Sequence, residues 1–328
     1  MKNLALNIGL FLVMIAGTVS CNIKDDVSNC PGSIILDYSA YSAEILDEIE
    51  ADEQIDVFVF DTSGICVEVY SFSYGELKEK GFEFEVPITY RNYNAVVWQG
   101  LNSDGYTSRR MVLGESYENF YLRLVYESAS QSCSDMVDPL WASPFEPIDF
   151  CAKITRHRVY MTRLHTDVDL YIQQKMKDGS LVDLNMEDYL VTIEATNNVY
   201  HTDYTIDETQ SVEIEYNNAE EIVDGEDMSC GCVGTLRLTP DMDCTMYVES
   251  LSSPQRIISV GGNTEIDLVE YMLATKTDST LSDQEFLDRN KVWEIYLLVE
   301  EQDDDTGYVA INININGWVV WFSSNDLN

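Results

Sequence analysis

The chain is written in short alternating runs. Ile34–Tyr38, Ile55–Phe60, Ile65–Tyr70, Tyr93–Trp98 and Phe120–Tyr126 are rich in β-branched and aromatic residues, and turn formers separate them. A period of two places successive side chains on opposite faces of an extended backbone, so such a run cannot bury its apolar face alone. It must pair edge to edge, and the resulting sheets must pack face to face or close on themselves. The expected class is all-β, organised as two successive β-sandwich-like domains. Only Ile266–Leu273 and Leu281–Val292 read as helix-like.

Several connections are legible. Asp61-Thr-Ser-Gly64 separates two alternating runs and predicts a hairpin in which Gly64 takes positive φ. From Glu127 to Phe150 the pattern lapses into Ser, Pro and acidic residues, which predicts a long surface excursion. Strands resume at Arg158–Leu164, Val168–Gln173 and Leu190–Ala195, with a domain boundary expected near Leu164–Asp167. Gly234–Leu238 and Thr245–Glu249 flank Pro240-Asp-Met-Asp243 and read as another hairpin. Trp293–Val299 and Tyr308–Ile315 flank an acidic turn containing Asp303, Asp304 and Asp305. The expected division is residues 1–20, 21–32, 33–165 and 166–328: a signal peptide, a tether and two β-sandwiches.

The first 20 residues carry one charge, Lys2, an apolar run and a cluster of small residues at the end. This is a signal-peptide layout, and the run is shorter than the ~20 residues a spanning helix needs. Cys21 follows immediately, in Thr18-Val19-Ser20-Cys21, where bacterial lipoprotein signals are cut and the thiol is acylated. An ordinary secretory signal followed by a structural cysteine is the alternative. Lys24-Asp25-Asp26 resembles the lysine-plus-acid export tag of surface lipoproteins of the Bacteroidia. Both readings make this an exported chain.

Charge narrows the partners. The 328 residues carry 58 acidic and 19 basic side chains, a net charge of −39. Such a field repels phosphate backbones and anionic headgroups, which argues against nucleic acid and leaves acyl chains as the means of holding a membrane. With Cys21 acylated, seven cysteines remain: Cys30, Cys66, Cys133, Cys151, Cys230, Cys232 and Cys244. Cys133 with Cys151, and one of Cys230 or Cys232 with Cys244, are feasible disulfides in an oxidising compartment. Cys230-Gly-Cys232 lacks the two-residue ligand gap and has no histidine nearby, so the spacing does not predict zinc.

Catalytic signatures do not stand out. The sequence has no Gly-x-Ser-x-Gly elbow, no phosphate-cradling glycine loop and no His-Glu-x-x-His motif. His157 and His165 lie among Lys153, Arg156, Arg158 and Arg163 at alternating strand positions, where hydrogen bonding is the expected role. Asp303–Asp305 and Asp241/Asp243 lack the calcium-loop pattern with its distal Glu. No enzyme, cofactor or metal is expected. Trp98, Trp141 and Trp318 would be the platforms of a surface glycan-binding lipoprotein, the alternative function.

The terminal run Val309–Val320 places Ile311, Ile313 and Ile315 on one face and Asn312, Asn314 and Asn316 on the other. With Trp318 it is a candidate strand-exchange segment, unless it is the last core strand of its own domain.

Taken in order, five stretches form a set: Asp25-Asp-Val-Ser-Asn-Cys-Pro31, Asp37-Tyr-Ser-Ala-Tyr41, Val57-Phe-Val-Phe-Asp-Thr-Ser-Gly64, Asp138-Pro-Leu-Trp141 and Ile315-Asn-Gly-Trp-Val-Val320. Behind a lipoprotein signal, the set resembles the FimB-type fimbrial anchor lipoproteins of the Bacteroidia, subunits of type V pili. The resemblance implies two tandem transthyretin-like β-sandwich domains. It also implies a surface-exposed, palmitate-bearing lipoprotein of the outer membrane held through Cys21. The protein would anchor a fimbrium, or limit its assembly, by β-strand exchange with stalk or accessory subunits.

Overall fold

The computed structural model describes residues 32–86, 92–133, 137–149, 156–216, 219–221, 228–252, 255–302 and 307–322. The chain opens with β1 (Gly32–Asp37), and a one-turn helix, α1 (Ala43–Asp47), leads to the hairpin of β2 (Gln54–Phe60) and β3 (Cys66–Ser73). The turn takes the form its residues require. Asp61 Oδ1 accepts from the backbone N–H groups of Ser63 and Ile65 at 2.9 and 3.0 Å. Gly64 sits at φ +79°, and a Cβ there would meet the Tyr117 ring at 2.7 Å. Next comes α2 (Tyr74–Glu79), a helix the alternating pattern did not announce; Ser73 Oγ caps it by accepting from the Glu76 N–H at 3.2 Å. The short strands β4 (Glu83–Val86), β5 (Asn92–Gln99), β6 (Tyr106–Arg109), β7 (Tyr121–Leu124), β8 (Ser132–Cys133), β9 (Trp141–Ala142), β10 (Glu146–Asp149), β11 (Arg156–Tyr160) and β12 (Thr162–Arg163) follow.

The middle layer of this first unit is the sheet β12-β9-β5-β2-β3, with β10 also on β5. Six of the seven residues of β2 are buried, because both faces of that sheet are covered. One face packs Ile55, Val57, Val59, Ala95 and Val97 against Ile34 and Leu36 of the sheet β11-β1-β4. Phe58, Phe60, Val96 and Trp98 on the other meet Phe120, Leu122 and Leu124. A strand buried on both faces reads as a continuous apolar run, which is how Val57-Phe-Val-Phe60 reads.

Strand membership changes after β12. The second unit contains β13 (His165–Lys175), β14 (Leu181–Asp183), β15 (Tyr189–Ala195), β16 (Val199–His201), β17 (Val212–Tyr216), β18 (Ala219–Glu221), β19 (Ser229–Leu236), β20 (Cys244–Ser250), β21 (Ile257–Val260) and β22 (Ile266–Asp267). Two helices, α3 (Leu268–Ala274) and α4 (Asp283–Arg289), precede β23 (Val292–Glu301), β24 (Gly307–Ile315) and β25 (Trp318–Phe322). The α4 start is a full capping box between Ser282 and Glu285. Strand order β18-β19-β13-β23-β24-β21-β20-β15-β17 carries the sheet around until β15 and β17 face β19 across a core of Val168, Leu170, Val191, Ile193, Ile214 and Val233. Two pairings cross between the units: β16 lies antiparallel to β7, and β8 lies parallel to β17. One apolar core is therefore continuous from Phe58 to Ile315. No helix among the described residues is long and apolar enough to cross a membrane.

Three sequence expectations require correction. The expected surface excursion holds for Glu127–Gln131, which are exposed, but not for 137–148, where Val137, Leu140, Trp141, Ala142, Ser143 and Ile148 are buried. Trp141 is held edge-on by Tyr38 and Tyr41 at 5.5 and 4.8 Å, and the surrounding Pro and acidic residues hid that apolar centre. β19 and β20 are not a hairpin; β19 pairs with β13 and β18, while β20 pairs with β15, β21 and β22. Residues 237–243 carry the chain from one layer to the other, with Leu238 and Met242 buried on the way. Finally, Val309–Val320 is not one strand. Asn316 and Gly317, at φ +49° and +81°, form a two-residue turn that folds β25 back on β24.

Candidate functional site

Cys21, Lys24, Asp25 and Asp26 lie outside the described residues, but the strand they lead into is well defined. Gly32 begins β1, which is central in its sheet: parallel β11 flanks it from Ser33↔Arg156 to Asp37↔Tyr160, and antiparallel β4 lies on the other side. Two side-chain ties reinforce the ladder. Ser33 Oγ donates to Glu83 Oε1 at 2.7 Å, and Arg158 Nη1 donates to Asp37 Oδ2 at 2.7 Å. Burial works against the Asp37 charge, but Arg158 and the Ser39 N–H outweigh it and hold the carboxyl below its ordinary value.

The opposite end of the chain presents an edge. Ile311, Ile313 and Ile315 lie on β24, which pairs with β23 on one side and with β21 and β25 on the other. All three side chains are buried in their own core, so β24 is an interior strand and not a detached donor. β25 has β24 as its partner among the described residues, and Trp318 and Val319 at its start are each 56% exposed. Trp98 and Trp141, the other two candidate platforms, are fully buried. Trp98 Nε1 donates instead to the Thr202 carbonyl at 3.0 Å, tying the two units together.

Between these ends lies a buried polar junction that sequence periodicity did not reveal. Arg163 sends Nη2 to Asp167 Oδ2 at 2.9 Å, to Glu48 Oε2 at 3.6 Å and to His165 Nδ1 at 3.4 Å. With Nδ1 accepting, the neutral imidazole carries its proton on Nε2, which faces Asp167 Oδ1 at 3.3 Å. Burial pulls His165 down to about 4; Asp167 opposes this, while Arg163 and Lys291 reinforce it. Arg237 grips Asp288 with two bonds of 2.9 and 2.8 Å and lies 4.7 Å over the Tyr204 ring. Tyr41, from the first unit, accepts from the Arg163 N–H at 2.8 Å and donates to the Asp288 carbonyl at 3.2 Å. Lys291, wholly buried, has Asp288 Oδ1 at 3.6 Å. Its burial brings it down to about 8, against the pull of Asp288, while Arg237 and Arg163 push the same way as burial. The chemistry of this cluster is positional: charges in a low-dielectric junction tolerate little displacement, so they fix one unit against the other.

Of the cysteine pairings, Cys133 is buried on β8 while Cys151 lies outside the described residues, as do Cys30 and the acidic turn Asp303–Asp305. The pairing of Cys230 or Cys232 with Cys244 is not formed: Cys244 is a free, buried thiol on β20, and Cys230 and Cys232 are neighbours instead, with Sγ atoms 3.0 Å apart on β19.

A family model of the fimbrillin-A associated anchor proteins Mfa1 and Mfa2 matches residues 28–324, a span that includes every strand from β1 to β25. The chain belongs to this fimbrial anchor family. Family membership accounts for the all-β architecture, and the family is one of anchors, not enzymes. Among curated proteins none matches the sequence. Solved structures share the fold. The fimbrial anchor protein Mfa2 from Porphyromonas gingivalis is 20% identical, with a TM-score of 0.63 over 90% of this chain and 100% of its own. A protein described as a candidate polysaccharide-binding protein from Bacteroides thetaiotaomicron gives 0.73 at 22% identity, over 90% of this chain and 99% of that one. A candidate adhesin from Bacteroides ovatus gives 0.72 at 16%, over 92% and 98%. Three features stand out in this member of the family: a doubly paired entry strand, a buried polar junction and an exposed hairpin.

Proposed function

We propose that this chain is an outer-membrane lipoprotein, acylated on Cys21 and exported to the cell surface through Lys24-Asp25-Asp26, that anchors a fimbrium or limits its assembly. The observation that carries the proposal is the family match over residues 28–324. The position of β1 supports it: a tether running from the membrane into a central, doubly paired strand is suited to bearing load. Contact with fimbrial stalk or accessory subunits is by strand addition, in which main-chain hydrogen bonds supply affinity and alternate side chains supply register. The surface offered is the hairpin edge β25 with Trp318, while Ile311, Ile313 and Ile315 back it from the core. An exposed apolar edge strand is the kind of template proteins otherwise take care to cover.

Glycan binding is the second reading, favoured by the structural kinship with the candidate polysaccharide-binding protein. Of its three expected platforms only Trp318 is exposed. Affinity capture of the full lipidated protein from mild-detergent extracts separates the two. Recovery of fimbrial subunits in a heat-labile, denaturant-resistant complex supports the anchor. Recovery of polysaccharide-uptake components without fimbrial subunits would replace it with the glycan reading.

A further inference from the structure

On the outer face of the sheet of the second unit, antiparallel pairing brings Asp169 beside two cysteines that lie far from it in sequence, Cys230 and Cys232. Asp169 on β13 is the register partner of Cys232 on β19, and Tyr171 is the partner of Cys230. The carboxylate of Asp169 and the two sulfurs all lie within 4.8 Å of one another. We propose that Asp169, Cys230 and Cys232 form a three-ligand site for a zinc-class divalent cation, with a fourth position open to water.

The ligand set points to that ion. Two thiolates favour borderline-soft metals, and the added carboxylate favours zinc over the purely sulfur-bound copper(I). Three protein ligands plus one open position is the arrangement of zinc sites that keep a water. Cys230 is fully buried, whereas Cys232 and Asp169 are half-buried, so solvent and metal enter from the Cys232 side. The Tyr171 side chain hydrogen-bonds Cys230, and its ring stacks on Tyr296 at 4.5 Å, giving the buried sulfur an outer-shell partner. Glu294, the register partner of Asp169 on β23, adds negative charge beside the site.

A disulfide fits the same pair less well. Alternate residues of a strand are about 6.6 Å apart along the backbone, at the outer limit of Cα separation for a disulfide. For zinc, bonds of about 2.3 Å at a tetrahedral angle separate the sulfurs by about 3.8 Å, which moves them about 0.8 Å apart from their present 3.0 Å. Coordination by a divalent cation would expel both thiol protons to solvent, leaving two thiolates and no change of oxidation state. The Cys-Gly-Cys spacing did not predict the site because its third ligand comes from the adjacent strand.

The test uses the full mature chain, reduced and handled without oxygen, titrated with Cd2+ as a spectroscopic stand-in for Zn2+. One equivalent should generate a sulfur-to-metal charge-transfer band, and Zn2+ in excess should displace it and protect both thiols from alkylation. Cys232→Ser should abolish the band. Asp169→Asn, which keeps the side-chain volume, should weaken Cd2+ affinity at least tenfold, while Cys66→Ser leaves it unchanged. The proposal is overturned by the absence of a one-equivalent band, by a band that survives Cys232→Ser, or by mass spectrometry showing Cys230 and Cys232 joined in protein taken directly from cells.

Discussion

The substitution His165→Gln should flatten the acid dependence of stability. The imidazole is wholly buried between Arg163 and Asp167, and its pKa lies near 4 against an ordinary 6.5. Between those values the unfolded chain binds a proton that the folded chain refuses. The His165 contribution is therefore fully present above pH 6.5 and is lost as pH falls toward 4. From pH 7.5 to 4.5 the group crosses about 2 pH units of this window at about 1.36 kcal/mol each; with the rounding of the titration curve, about 2.5 kcal/mol is lost. A glutamine in this place has no proton to gain, and its amide can still accept from Arg163. Urea unfolding followed by tryptophan fluorescence at pH 7.5 and 4.5 gives the loss for each protein, and the difference between the losses isolates His165 from the carboxylates common to both. A loss in the variant equal to that in the parent would refute the reasoning.

Further expectations test the other parts. Asp288→Asn should cost about 3–5 kcal/mol, because it strands the buried Arg237 and Lys291, whereas Lys291→Met should be close to neutral, since Arg237 still neutralises Asp288; denaturant midpoints compare the two. Trp98→Ala should cost about 3–5 kcal/mol by emptying a site between Phe120 and Tyr200 and removing the bond to Thr202, read as a fall in thermal midpoint. Trp318→Ser, on an exposed edge, should change stability by less than about 0.5 kcal/mol yet reduce recovery of fimbrial subunits in affinity capture.

Local rules were legible in the sequence, while long-range pairing was not. Asp61 and Gly64 announced the β2–β3 turn because both act on their own backbone neighbours. The alternation of Val168–Gln173 placed β13 because inward and outward side chains differ in polarity there. Asn316-Gly317 carried an equally local hairpin signal, but the Ile–Asn alternation before it drew the strand past its end. Pairings such as β7 with β16, and the meeting of Asp169 with Cys232, depend on register across separate stretches, which no short window contains. The junction was obscured for a related reason: Arg163, His165 and Asp167 look like ordinary hydrogen-bonding strand residues until Asp288 and Lys291, more than a hundred positions away, are packed near them.

The most direct test of anchoring is to replace Cys21 with Ala in the native cell and measure what fraction of fimbriae stays with the envelope. The expected result is that both this protein and its fimbriae appear in the medium, since β1 then carries the load to no membrane. Fimbriae that stay attached at the parental level, with the Cys21→Ala protein still in the membrane fraction, would contradict the lipid-anchored reading.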